Sequence, residues 1–87
     1  MRDIIFSEKA NEQYLYWQKT DKKICKKINE LLHDIVHSPF TGLGKPEALK
    51  YNLVGAWSRR IDQEHRLVYK VSETTIEVIQ CRYHYKA

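Results

Sequence analysis

The 87-residue chain is expected to fold as an α+β domain, with an N-terminal strand and two helices packed on one face of a mostly antiparallel, twisted sheet. Three observations predict this. Apolar residues recur at helical spacing from Ala10 to Val36. Beyond Glu47 the period changes to two. Polar clusters at Asp62-Gln63-Glu64 and Ser72-Glu73-Thr74 then cut the β-rich stretch into short runs. Helices on one face of such a sheet make a layered α+β domain and leave the other face for a ligand.

Ile4-Ile5-Phe6 is short, apolar and β-rich, and reads as the first strand. Ser7 can cap a helix from about Glu8 to Gln18, along which Ala10, Tyr14 and Trp17 share a face. Tyr14, Tyr16 and Trp17 cannot all point inward, so one or more faces solvent or a partner. Thr20 or Asp21 caps the second helix. Its apolar stripe is Ile24, Ile28, Leu31, Leu32, Ile35 and Val36, and Pro39 ends it. A loop runs from Ser38 to about Glu47. Lys50–Leu53 reads as a strand, Val54-Gly55 as a turn and Ala56–Ile61 as the return strand. His65–Val71 and Thr75–Tyr83 complete the meander. The whole length, 1–87, is expected to form one domain, since chains this short rarely divide.

Composition excludes several classes. Hydrophobic residues make up 43% of the chain, enough for a packed core and against disorder. No run approaches the roughly 18 apolar residues of a membrane helix. Only three apolar residues follow Met1-Arg2-Asp3, so no signal-peptide core is expected. Cys25 and Cys81 make no disulfide framework and read as small core residues. A reduced, cytoplasmic protein is expected. Basic residues number seven against six acidic through Gly44, and eight against five from Lys45 onward. The basic C-terminal half suggests a polyanionic partner.

Three groups in that half carry chemistry. If Asp62-Gln63-Glu64 is a three-residue loop, Arg60 faces Arg66, and a two-residue loop puts Arg59 there instead; either way like charges on facing strand positions repel. Either the side chains splay into solvent, or a carboxylate or phosphate sits between them. Lys45 and Lys50 flank Glu47, which can accept a proton or simply form a surface ion pair. His84 lies between Tyr83 and Tyr85; the segment is either a frayed tail or a platform for an unstacked base beside an imidazole that titrates near neutrality. A carboxylate, an imidazole and several cations suffice to cleave RNA: a base takes the ribose 2′-OH proton, an acid protonates the leaving 5′-oxygen, and cations hold the charge on the phosphorus centre. His33 and His37 have the spacing of paired metal ligands, but without a third ligand they read as an exposed pair. Gly42-Leu43-Gly44 follows a helix and is no phosphate-binding fingerprint.

Longer blocks resemble a known family. Tyr14-Leu15-Tyr16-Trp17-Gln18, Lys26-Lys27-Ile28-Asn29-Glu30-Leu31, Pro39-Phe40 and Gly44-Lys45-Pro46-Glu47 follow its pattern. So do Trp57-Ser58-Arg59-Arg60-Ile61, Glu64-His65-Arg66-Leu67-Val68-Tyr69 and Cys81-Arg82-Tyr83-His84-Tyr85. The chain resembles the YoeB (Txe-type) toxins of the RelE superfamily over nearly its whole length. The resemblance implies a RelE-like, microbial-RNase-like fold and a ribosome-dependent mRNA endonuclease that acts without metal or other cofactor. It implies a YefM-like antitoxin, the ribosomal A site and mRNA as partners, and often a homodimer. By it Glu47 matches the general base, His84 the general acid and Arg66 the transition-state cation. Lys50 and Arg60 match supporting phosphate-binding cations, and Tyr85 a residue that shapes the site. Two departures stand out: Ala48 occupies a position where relatives often have proline, and Lys86-Ala87 extend past the tyrosine at which the family commonly ends. The alternative is a non-catalytic ribosome- or RNA-binding module using the same basic face. A protein that only binds a partner or repressor complex is a third reading, in which the helix aromatics matter and Arg66 does not.

Overall fold

A computed structural model describes residues 2–85. Strand β1 (Asp3–Phe6) leads into helix α1 (Glu8–Thr20) and helix α2 (Lys22–His37). Strands β2 (Glu47–Ala48), β3 (Ala56–Arg60), β4 (Arg66–Val71) and β5 (Thr75–Gln80) follow, with a short 3-10 turn at Tyr51–Leu53. The sheet order is β1-β5-β4-β3-β2. Among the described residues the β1–β5 pairing is parallel and the other three are antiparallel.

The expected caps are present. The Ser7 hydroxyl accepts from the Ala10 N–H at 3.1 Å. Asp21, rather than Thr20, caps α2 through bonds from the Lys23 and Ile24 N–H groups. Its own N–H closes α1 onto the Trp17 carbonyl. One residue thus ends one helix and starts the next, which carries α1 two residues past Gln18.

Helix α2 buries Ile28, Leu31, Leu32 and Ile35, and α1 buries Ala10 and Trp17. These pack on Leu67, Tyr69, Ile76 and Val78 of the sheet. Of the three helix aromatics, Trp17 is buried, Tyr14 half-buried and Tyr16 exposed. Alternation along β3 and β4 sends Ser58, Arg60, Arg66 and Val68 to the opposite face. There Leu49, Ala56 and Val68 form a second, smaller apolar cluster against which Leu53, Ile79 and Tyr85 pack.

Two expected boundaries need correction. Lys50–Leu53 is not a strand. Glu47 and Ala48 do the pairing, opposite Ser58 and Trp57, and Tyr51 then takes a left-handed φ of 57° that breaks the extended chain. The last strand ends at Gln80 rather than Tyr83. The Cys81 N–H leaves the sheet to donate to Gln13 of α1, and the Cys81 carbonyl accepts from the Trp17 indole. The extra length of β5 against β4 is taken up by an irregularity at Ile79, where Val68 pairs with Gln80 and Tyr69 with Val78.

Candidate active site

The loop that delivers Glu47 is held from beneath by a buried arginine. Arg59 lies on the helix face of β3 and is fully buried. Its guanidinium has five N–H donors, and five partners surround it. Nε donates to the Tyr69 hydroxyl. Nη1 donates to Asp34 and the Leu43 carbonyl, and Nη2 to the carbonyls of Ser38 and Thr41. The Tyr69 hydroxyl in turn donates to the Pro39 carbonyl at 2.7 Å. Residues 38–43 are therefore wrapped around one side chain. The Arg59 guanidinium, with help from the Leu43 N–H, holds the Asp34 carboxyl below the usual carboxylate range.

Gly44 carries the loop onto β3. Its carbonyl accepts from the Arg60 N–H at 2.7 Å, and its φ is +78°. A Cβ here would lie 3.0 Å from the Arg60 carbonyl oxygen and 2.9 Å from Leu31 Cδ2. The close approach and the backbone angle both require glycine.

The tail arrives from the other side. Arg82 lies over the Tyr16 ring, 3.6 Å from its centroid, and over Tyr83 at 4.6 Å. The Tyr83 carbonyl accepts from the Arg66 N–H. Gln80 Nε2 donates to the carbonyls of Tyr83 and His84. The Tyr85 hydroxyl then reaches Glu47 Oε1 at 3.0 Å. The segment expected to be either a frayed tail or a platform is thus tied to β4, β5 and the loop.

The result is a cleft of about 460 Å³ lined by Lys45, Pro46, Glu47, Ser58, Arg60, Arg66, His84 and Tyr85. Arg60 and Arg66 are directly paired across β3 and β4. Among the described residues, neither has a carboxylate within ion-pair distance. Arg66 Nη1 is bonded to the carbonyls of Asp62 and His65, and its other nitrogens have no side-chain hydrogen-bond partner among the described residues. Burial first, and then the bond to Glu47, push the Tyr85 phenol above its ordinary pKa. It is a neutral donor at physiological pH and is not suited to exchange protons there. Lys45, Tyr51 and Tyr83 all adopt left-handed φ values, of 51°, 57° and 68°. Such strain in non-glycine residues gathers where the surrounding structure imposes a working geometry.

The model of the YoeB-like toxin of bacterial type II toxin–antitoxin systems matches residues 6–85. This chain belongs to that family. The toxin is 58% identical to Toxin YoeB of Escherichia coli K12 over 82 residues, which cover 94% of this chain and 98% of the relative. It is similar to the YoeB dimer from Staphylococcus aureus, with a TM-score of 0.91, 53% identity and coverage of 97% and 98% of the two chains. It is equally similar to the toxin in the heterotetrameric YoeB–YefM complex from that organism, with a TM-score of 0.90, 52% identity and coverage of 98% and 99%.

Of the residues singled out in the toxin's sequence, Glu47, Arg60, Arg66, His84 and Tyr85 line one cleft. Lys50 is exposed and is not among the residues that line it; Lys45, on the other flank of Glu47, is. Sequence reasoning passes over Ser58, which pairs with Glu47 across β2 and β3; its alternation with Arg60 is the available signal. Ala48 pairs with Trp57 within β2, and Lys86-Ala87 lie outside the described residues. His33 and His37 are exposed on α2 with rings 5.1 Å apart, and no group of three potential metal ligands occurs among the described residues. No helix of the described residues is long and apolar enough to cross a membrane.

Proposed function

We propose that this toxin is an endoribonuclease that cuts mRNA in the ribosomal A site by transesterification. One observation carries the reading: Arg60 and Arg66 face each other without an acidic partner among the described residues, in a cleft that also holds Glu47 and His84. A phosphate between the two guanidiniums removes their repulsion. With the phosphate there, Glu47 takes the proton from the ribose 2′-OH. The 2′-oxygen bonds to phosphorus, Arg66 stabilises the added negative charge, and the bond to the 5′-oxygen breaks. His84 supplies the proton to that oxygen. The products are a 2′,3′-cyclic phosphate, or the 3′-phosphate formed from it, and a 5′-hydroxyl. Tyr85 orients Glu47, and Arg60 and Lys50 contribute positive charge toward the RNA backbone.

The family supports dependence on the ribosome, action without metal and a cytoplasmic setting. The S. aureus structures support a YefM-like antitoxin as partner and a toxin dimer. The test is purified toxin added to ribosomes translating a defined mRNA, with cuts mapped by primer extension. Cuts are expected with and without EDTA, and none with Glu47→Ala/His84→Ala. Intact mRNA with salt-sensitive binding would instead make the protein an RNA-binding module.

A further inference from the structure

We infer that His65 is a positioning residue for the reaction: its ring clasps the main chain at Tyr83 and so sets where His84 and Tyr85 enter the cleft. The inference rests on the endoribonuclease reading for its catalytic consequence, though not for the clasp itself.

His65 stands between the Asp62-Gln63-Glu64 turn and β4 and is 8% exposed. Its placement is built from several sides. The Asp62 carboxylate accepts from the His65 N–H at 2.6 Å, and the His65 carbonyl accepts from the Ile61 N–H at 3.0 Å. The ring packs edge-on against Trp17, with centroids 4.8 Å apart. Nδ1 accepts the Tyr83 N–H at 2.8 Å. A main-chain N–H can only donate, so Nδ1 carries no proton and the ring proton sits on Nε2, 3.5 Å from Glu64 Oε1.

Tyr83 is therefore gripped on both sides. Its N–H donates to the His65 ring, and its carbonyl accepts from the N–H of Arg66, the residue after His65. Between these bonds its φ is 68°, a left-handed angle that non-glycine residues seldom take. The following residues are His84 and Tyr85, which both line the cleft. A small change of direction at Tyr83 displaces His84 and the Tyr85–Glu47 bond together. The residue before Arg66 thus aligns the tail with the hairpin cation that the reaction also uses.

The test compares His65→Phe, which keeps the ring against Trp17 and removes the acceptor, with His65→Asn, whose amide oxygen can take the place of Nδ1. Two readouts are used: single-turnover mRNA cleavage on saturating ribosomes, and hydrogen exchange of the Tyr83 amide by NMR in the free toxin. Thermal melts confirm that both variants fold. His65→Phe is expected to slow cleavage by roughly 10- to 100-fold with ribosome binding unchanged, and to speed Tyr83 exchange. His65→Asn is expected to recover much of both. The inference is overturned if His65→Phe cleaves at the parent rate, if its Tyr83 amide stays fully protected, or if His65→Asn is as impaired as His65→Phe. Absence of cutting by the parent toxin would instead remove the endoribonuclease reading, while the exchange measurement still decides whether the clasp exists.

Discussion

The phenol of Tyr85 donates to the carboxylate of Glu47 across 38 residues of sequence, at 3.0 Å, and this bond joins the tail to the loop. Tyr85→Phe removes it without disturbing the apolar packing of the ring on the second cluster. Cleavage should fall by about 10-fold, as when a positioned general base loses its orienting partner, with little change in melting temperature. A rate equal to the parent's would show that Glu47 needs no such partner.

Arg60 and Arg66 face each other across β3 and β4, and like charges so placed are expected to destabilise the free protein. Arg60→Gln is expected to raise stability by a few tenths to about 1 kcal/mol while slowing cleavage. Arg66→Gln should relieve the same repulsion but cost about 100- to 1,000-fold in rate. Urea denaturation and single-turnover cleavage measured on the same preparations check both halves. A destabilised Arg60→Gln protein would mean that the pair is already neutralised.

Arg59 should behave in the opposite way. Arg59→Met removes a donor from Asp34, the Tyr69 hydroxyl and three loop carbonyls and is expected to cost about 3–5 kcal/mol. The ion pair also sets an acid limit. The Asp34 carboxyl titrates below its ordinary value of 3.8 in the fold. Its contribution to stability is therefore complete above the unfolded-state pKa, and is lost as pH falls through the lower folded value. Asp34→Asn should flatten the stability–pH curve in that acid range while lowering stability at neutral pH. An unchanged slope below pH about 4 would mean that other carboxylates set the acid limit.

The two cysteines should differ in reactivity. Burial pushes the Cys81 thiol up to about 12, whereas Cys25 is only half-buried. Alkylation at mildly basic pH, followed by mass spectrometry, should label Cys25 first and Cys81 only as the protein unfolds. Equal rates in the native protein would mean that the tail leaves α1 far more readily than its bonds to Gln13 and Trp17 suggest.

Much of the fold is legible from residue patterns, and the exceptions share a cause. The α2 stripe follows from period, which depends on near neighbours alone; the sequence narrows the partner of Arg66 to Arg59 or Arg60, and the structure pairs it with Arg60. Arg59 does not stand out as a buried hub because an arginine next to another arginine reads as solvent-facing. The signal is Trp57 two residues earlier, on the same face of β3. Lys50–Leu53 looks extended because nothing local announces the left-handed Tyr51. The tail is ambiguous in sequence because, apart from the Gln80 amide, the groups that hold it come from distant parts of the chain: Gln13, Trp17, His65, Arg66 and Glu47. Assignment of base, acid and transition-state cation comes from family resemblance, since the residue types alone allow a surface ion pair and a loose end.

Attack by the ribose hydroxyl is tested most sharply by one 2′-deoxy nucleotide in an mRNA, at the position just 5′ of the mapped cut. On translating ribosomes the unmodified message should be cut there, leaving a 2′,3′-cyclic phosphate or the 3′-phosphate formed from it. The deoxy-substituted message should stay intact at that bond while still holding the toxin on the ribosome. Cleavage at the deoxy position at the unmodified rate would contradict attack by the 2′-oxygen, and with it the roles of Glu47, Arg66 and His84 as base, transition-state cation and acid.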